Sequence, residues 1–512
     1  MIHCRSGFQS DWRNGYAATG TGMLAKIEET DIVERSGNVQ RSERQDVMHT
    51  IQRQLIRKAL VLVALTPMMA RGGTPQASTF ATIYSFKGGS DGASPNGLTL
   101  GKNGALYGTT YAGGSNNTCN GNLCGTVFEL APVKGVGWTK TVLHDFNGAD
   151  GAWPSPFLQG GSGPRMVFGG NGALYGTTEA GGTSWSGPFG GTVFELAPPA
   201  TAGGTWTESV LYNMGGSAFV PNTPLGGVII GPGGTVYGTT SSSYFAYNTP
   251  IGGTVFALTP PSVTGGSWTE RTLVNFYPLS AMGWFPEASV VSVGGSLYGT
   301  TYLQGLSGPC GSVYEVSPPA VGGGSWTGTA IFSFGGADGC FPLAPLTVGP
   351  GGIRYGTTIA GGSGTPCTFP PALISGCGTL FQLTPPVSGS TTWTETVIYS
   401  FTGLNGDGAY PAAAVVSGKN GVLYGTTLYG GSATSGTPCT FYGATGCGTV
   451  FQLTPPAMPG GTWTETILHS FTGQNGEGSI PGPLTVSRVG LLNGPTWTGG
   501  TAGKGTIFAI QP

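Results

Sequence analysis

Of the four histidines in the chain, only His144 and His469 lie beyond residue 49. A Ser-His-Asp or Cys-His nucleophile would have to use one of them. Both stand two residues ahead of a phenylalanine, at a place that Tyr84, Tyr212, Phe332 and Tyr399 fill elsewhere. A position shared by rings reads as packing, and spacing suggests no catalytic partner. Five carboxylates recur ahead of a glycine: Asp91, Asp150, Asp338, Asp407 and Glu477. Set on one face, they would form a partial ring, broken by Ser217 and Met282. Such a ring would bind calcium or supply an acid/base pair for glycosidic cleavage. Asp-Gly is equally a turn pair, in which Asp caps its own backbone and Gly takes a positive φ. The oxygen-rich spacing of a dedicated calcium loop is missing, so turn chemistry is the favoured reading.

Nine cysteines are present, and Cys4 stands apart in the polar N-terminal stretch. Cys119/Cys124, Cys367/Cys377 and Cys439/Cys447 each share one loop, which suggests short-range disulfides in an oxidising compartment. Cys310 occupies the same place without a mate in its own loop, and Cys340 is its remaining partner. No Cys-x-x-Cys or Cys/His spacing occurs, so no metal site is expected. The same loops carry Trp185, Phe189, Tyr244, Phe245, Tyr247, Phe369, Phe441 and Tyr442 among Gly, Ser, Thr and Asn. Rings on stapled polar loops suit stacking on sugars or gripping a protein at little ordering cost, and these eight are the candidate ligand-binding residues. The competing reading is that they fold back and seal the sheet edges.

The elements that position these loops repeat. Tyr-Gly-Thr-Thr occurs at Tyr107, Tyr175, Tyr237, Tyr298, Tyr355 and Tyr424, in steps of 68, 62, 61, 57 and 69 residues. Gly125-Thr-Val-Phe follows the first, with counterparts at Gly191, Gly253, Gly311, Gly378 and Gly448. A seventh, Gly505-Thr-Ile-Phe, follows a degraded copy near Thr496. Trp138, Trp206, Trp268, Trp326, Trp393 and Trp463 each open a strand that runs to a phenylalanine. Each unit thus reads as four short strands: the tryptophan strand, an apolar stretch such as Ala414-Val-Val, the Tyr-Gly-Thr-Thr strand, and the Gly-Thr-Val-Phe strand stopped by Pro-Pro. Glu129, Glu195, Glu315, Gln382 and Gln452 alternate with apolar residues of the last strand and look like its wet side, with no assigned role. Four strands repeated seven times predict an all-β, seven-bladed propeller. The array starts with Thr82-Ile-Tyr-Ser-Phe86 and stops straight after the seventh Gly-Thr strand, so the N-terminal strand should complete the last blade.

Composition agrees. Glycine accounts for 96 of 512 residues, placed between aromatic and β-branched residues as turn formers. Half of the 20 Lys and Arg fall in the first 77 residues, which leaves a body poor in positive charge and argues against nucleic acid. Met48–Lys58 is basic and Ala59–Ala70 apolar, the pattern of a secretory signal too short to span a bilayer. The organisation expected is a non-native or disordered extension over 1–47, with translation starting at Met48, a signal region over 48–77, and the propeller over 78–512. No transmembrane span is expected in the mature chain.

The combined Leu-Tyr-Gly-Thr-Thr, Gly-Gly and Gly-Thr-Val-Phe pattern from Ser78 onward resembles the GloVer tandem-repeat family, the choice-of-anchor repeat proteins. The order Leu-Tyr, Gly-Gly, Val-Phe, Trp also resembles kelch-type blades. The resemblance implies export to a bacterial surface and no defined activity; the absence of an apolar or basic tail favours simple secretion here. No phosphate-cradling glycine motif appears, and no cofactor is expected. The reading is therefore a monomeric, secreted or cell-surface, non-enzymatic propeller with a glycan or protein ligand. The alternatives are a secreted carbohydrate-active enzyme using carboxylates near the channel, and a purely structural surface protein.

Overall fold

The computed structural model describes residues 78–512, except 117, 120–122, 155–165, 184–189, 202, 216–222, 242–251, 264, 278–279, 304–309, 321–322, 364–366, 370–373, 433–438 and 459. The expectations for 1–47 and 48–77 lie outside these residues. Among them there is no α-helix, and no helix is long and apolar enough to cross a membrane. The strands form seven antiparallel blades. Blade 1 runs, from inner to outer strand, Ala93–Leu100, Leu106–Ala112, Thr126–Val133 and Gly137–Asp145. Blades 2 to 6 repeat that order, with outer strands Thr207–Asn213, Thr269–Phe276, Thr327–Ser333, Thr394–Ser400 and Thr464–Ser470. A blade therefore takes three strands from one sequence unit and the tryptophan strand from the next.

That offset is why the ends must meet. In blade 7, Thr506–Gln511 has Leu492–Gly499 on one side and the first strand, Thr79–Ser85, on the other. The register runs Thr79 to Gln511, Phe80 to Ile510 and Tyr84 to Ile507. Phe80 stacks on His469 of blade 6 at 3.8 Å between centroids and 4° between planes, and meets Phe471 edge-on at 5.7 Å. The closing strand is thus bonded to its own blade and packed against the neighbouring one.

The repeated motifs have separable jobs. The glycine of Tyr-Gly-Thr-Thr pairs across the sheet with the ring of Gly-Thr-Val-Phe in all seven blades: Gly108 with Phe128, Gly176 with Phe194, Gly238 with Phe256, Gly299 with Tyr314, Gly356 with Phe381, Gly425 with Phe451, and Gly494 with Phe508. A Cβ at Gly108 would lie 2.6 Å from Phe128 Cζ, and one at Gly425 2.4 Å from Phe451 Cζ. The ring uses the space a side chain would fill. The last Thr pairs its hydroxyl with that of the third strand's Thr, as between Thr110 and Thr126 at 2.9 Å and Thr427 and Thr449 at 2.9 Å. The first Thr reaches the next blade: Thr177 donates to the Gly226 carbonyl at 2.8 Å and Thr239 to that of Ala288 at 2.9 Å. The tyrosine carries the tryptophan of the following blade, Tyr107 with Trp206 and Tyr298 with Trp393, each at 6.0 Å. It also gives a partner to the third-strand acids, to which the sequence assigned no role. Tyr107 donates to Glu129 at 2.7 Å, Tyr175 to Glu195 at 2.8 Å and Tyr298 to Glu315 at 2.9 Å.

The residue before proline in the blade-to-blade connection is held at positive φ although it carries a side chain: Ser94, Trp153, Phe285, Phe341, Tyr410 and Ile480, at 55°–62°. Such a conformation costs about 1–3 kcal/mol and persists only where the surroundings impose it. Here two blades do so. The Tyr410 N–H donates to Cys377 of blade 5 at 2.8 Å, and its carbonyl accepts from Leu428 of blade 6 at 3.1 Å.

Phe80→Ala should weaken closure. A fully buried Phe→Ala change costs about 3–5 kcal/mol, and this half-buried ring should cost about 2–3 kcal/mol. Thr79→Ala on the exposed side should cost less than about 0.5 kcal/mol. Urea unfolding of the two variants measures the difference.

Candidate functional site

The loops between second and third strands and the connections into the next blade share one face. The glycine pair that begins each loop is tied to the connection: Gly182 donates to Gly148 at 2.8 Å, Gly362 to Gly336 at 2.9 Å, and Gly431 to Asp407 at 2.8 Å. Four disulfides lie here: Cys119–Cys124, Cys367–Cys377 and Cys439–Cys447 within single loops, and Cys310–Cys340 between the third strand of blade 4 and the connection to blade 5. In blades 5 and 6 the stapled loops are small hairpins, Thr368–Phe369 with Ile374–Ser375 and Thr440–Phe441 with Ala444–Thr445. The hairpins touch. The Tyr442 carbonyl accepts from the Thr368 N–H at 3.2 Å and from the Tyr410 hydroxyl at 2.7 Å.

Of the eight candidate rings, Trp185, Phe189, Tyr244, Phe245 and Tyr247 lie outside the described residues. Phe369 and Phe441 are half-buried and face one another at 6.2 Å in a cluster with Phe341, Tyr410 and Tyr429; Phe441 stacks on Tyr429 at 4.9 Å. Tyr442 turns outward, 49 % exposed, edge-on to Phe441 at 4.5 Å. Two of the three described rings thus form the bed on which the third is displayed.

The axis of the propeller differs in character. A cavity of about 410 Å³ is lined by inner-strand residues of six blades, among them Val167, Ile229, Val291, Leu346, Val415 and Leu484, and its lining carries no ionisable group. The turn carboxylates lie elsewhere, against the outer strands, as backbone caps. Asp150 accepts from the Asn147 N–H at 2.9 Å, Asp338 from Gly335 at 2.8 Å, Asp407 from Thr402 at 2.6 Å and Glu477 from Thr472 at 2.7 Å. An enzyme working with carboxylates at the channel therefore lacks these residues there.

At the described blade junctions three positions converge: the residue two before the closing phenylalanine, the turn residue, and the residue two after the tryptophan of the next outer strand. Lys140 bonds Asp91 at 3.1 Å, beside Tyr84, whose hydroxyl donates to Asp91 at 2.7 Å. Burial alone would raise the Asp91 carboxyl, but Tyr84, the Lys87 N–H and Lys140 hold it below the usual carboxylate range. His469 hydrogen-bonds Glu477 at 2.5 Å with Phe80 stacked over it. Between blades 3 and 4 the set is apolar: Val274, Met282 and Gly328, where a Cβ would lie 2.5 Å from Met282 Sδ. His144, Asp150 and Glu208 meet between blades 1 and 2. Burial pushes Glu395 up to about 7, with the charge of Asp338 adding to it. Burial and then Asp407 push Glu465 up to about 8. Asp407 Oδ1 and Glu465 Oε1 are both buried without a hydrogen-bond donor. The Glu465 partner set was missed from sequence, although Trp-Thr-Glu recurs with Lys140 and Gly328 as substitutes.

The family model of the Gloeobacter/Verrucomicrobia repeat matches residues 72–243 and 164–439, most of the chain. The chain belongs to the Gloeobacter/Verrucomicrobia repeat family. No curated protein matches it. Solved structures similar to this family member include a glucose dehydrogenase-type oxidoreductase of Thermus thermophilus (12 % identity, TM-score 0.35, 85 % of this chain and 100 % of that one). Others are a gluconolactonase of Xanthomonas campestris (11 %, 0.36, 85 % and 89 %) and the Trypanosoma rangeli sialidase (10 %, 0.37, 86 % and 60 %).

Two outcomes are expected. Glu465 carries its proton in the fold but loses it when unfolded, so stability should fall as pH rises from about 5 to 8, opposite to an ordinary paired carboxylate. Glu465→Gln should flatten that fall, with Asp407 and Tyr399 the groups it faces; Tm against pH measures it. Removing Cys310–Cys340, which closes 30 residues, should cost about 3.5 kcal/mol, and removing Cys119–Cys124, which closes 5, about 2 kcal/mol, by denaturant unfolding of the double alanine variants.

Proposed function

We propose that this repeat-family member is an exported, non-enzymatic binding propeller that takes a glycan on its loop-rich face. The observation that carries the reading is the pair of disulfide-pinned hairpins in blades 5 and 6, packed ring to ring so that Tyr442 stands outward on a rigid support. A flat ring held in place loses little freedom when a sugar stacks on it. Four disulfides suit an oxidising compartment, and the basic-then-apolar run from Met48 to Ala70 supplies the export address. Trp185, Phe189, Tyr244, Phe245 and Tyr247 belong to the equivalent loops of blades 2 and 3 and extend the proposed face, with Phe369 and Phe441 as its supporting layer.

A glycan array probed with the full chain tests this. Binding should appear and weaken about tenfold or more in Tyr442→Ala, with Trp185→Ala and Tyr244→Ala as parallel variants. Absence of any glycan signal, or a signal unchanged in all three variants, overturns the reading and leaves a protein ligand as the alternative.

A further inference from the structure

We propose that His144, Asp150 and Glu208 form a binding site for one divalent transition cation of the zinc type, which staples blade 1 to blade 2. His144 comes from the outer strand of blade 1, Asp150 from the connection into blade 2, and Glu208 from the outer strand of blade 2. One ligand atom from each lies within 4.8 Å of the others. A cation with bonds of about 2.0–2.2 Å holds tetrahedral ligands about 3.4 Å apart. His144 Nε2 and Asp150 Oδ2 stand at 3.2 Å already, and rotation of the Glu208 side chain closes the set.

A second observation points to a missing partner. His144 Nε2 and Glu208 Oε1 are both sealed from solvent, and neither makes a hydrogen bond in the fold. The nitrogen stands at ion-pair distance from Asp150 without the alignment of a hydrogen bond, so the two electron-pair donors can share a cation between them. The equivalent junctions act as internal controls. Between blades 7 and 1 a lysine neutralises the turn carboxylate. Between blades 6 and 7 the histidine bonds the carboxylate directly and a phenylalanine fills the third place. Between blades 3 and 4 the whole set is apolar. Among the described residues, only the junction of blades 1 and 2 brings an imidazole and two carboxylates together.

The donor set selects the ion. An imidazole nitrogen with two carboxylate oxygens suits zinc or its first-row neighbours; calcium takes six to eight oxygens, and magnesium keeps oxygen and water. Two carboxylates and a neutral imidazole balance a double positive charge. The side chains of His144 and Asp150 keep 18 % and 15 % of their exposure, so the set lies near the surface although its ligand atoms face inward.

The test is titration calorimetry of the full chain, stripped with chelator, against zinc chloride, with manganese and calcium chlorides as parallel arms. We expect one equivalent of zinc to bind and to raise Tm. His144→Phe and Glu208→Gln should each weaken binding tenfold or more, whereas Glu270→Gln, the counterpart one junction on, should leave it unchanged. Phe332 fills the His144 position in blade 4, so His144→Phe keeps a side chain the fold already accommodates, and melting without metal confirms it. No zinc binding, zinc binding that survives both variants, or a preference for calcium overturns the proposal.

Discussion

In every blade the aromatic ring of the third strand lies across the second strand at a residue that has no Cβ, and it occupies the space a side chain there would need. Because the ring needs a glycine opposite it, register is fixed: a slip by one residue would drive the ring into a tyrosine or a threonine. Because the glycine is flanked by Tyr and Thr-Thr, the same register aims the tyrosine at the neighbouring tryptophan and the first threonine at the next blade's backbone. The seventh copy shows which part of the motif is indispensable. Its Tyr and first Thr have become Asn493 and Pro495, yet Gly494 still lies under Phe508, and Thr496 still bonds Thr506 at 2.8 Å.

Charge is scarce in this chain, at 8 % of residues, and much of what the body has is spent at the junctions between blades. The described junctions bring residues from separate elements into the same small space and close it by different chemistry: an ion pair, a hydrogen-bonded histidine, a buried carboxyl pair, or plain hydrocarbon. The backbone symmetry is therefore high while the electrostatics of the seven seams is not. The axis is uniform and greasy, so chemical individuality resides at the rim and in the loops.

The blade inventory and the closure could be read in advance because both rest on local pattern: strand signatures, Pro-Pro stops and an unpaired strand at each end. The pairing of Cys310 with Cys340 followed by elimination once the other cysteines were matched within their loops. The junction sets could not be read that way. His144 and Glu208 are 64 positions apart and belong to different repeats, and only the packing of one sheet against the next brings them together. The rings of Phe369 and Phe441 could be read from the sequence as binding residues or as packing, with packing the favoured reading. In the fold they lie half-buried against Tyr410 and Tyr429, which stand outside the loop segment itself.

Three of the four disulfides begin and end inside one loop, so none of them helps to hold the blades together. A loop tied off at its own base is closed without a covalent link to another blade and meets the wheel only through backbone hydrogen bonds and ring contacts, as where Tyr410 donates to Cys377. Changes in length or sequence inside such a loop leave the covalent frame as it is, and their cost is confined to the contacts the loop makes with its neighbours. The bond between Cys310 and Cys340 is the exception: it crosses from one blade to the next, and that loop alone cannot be redesigned without disturbing its support.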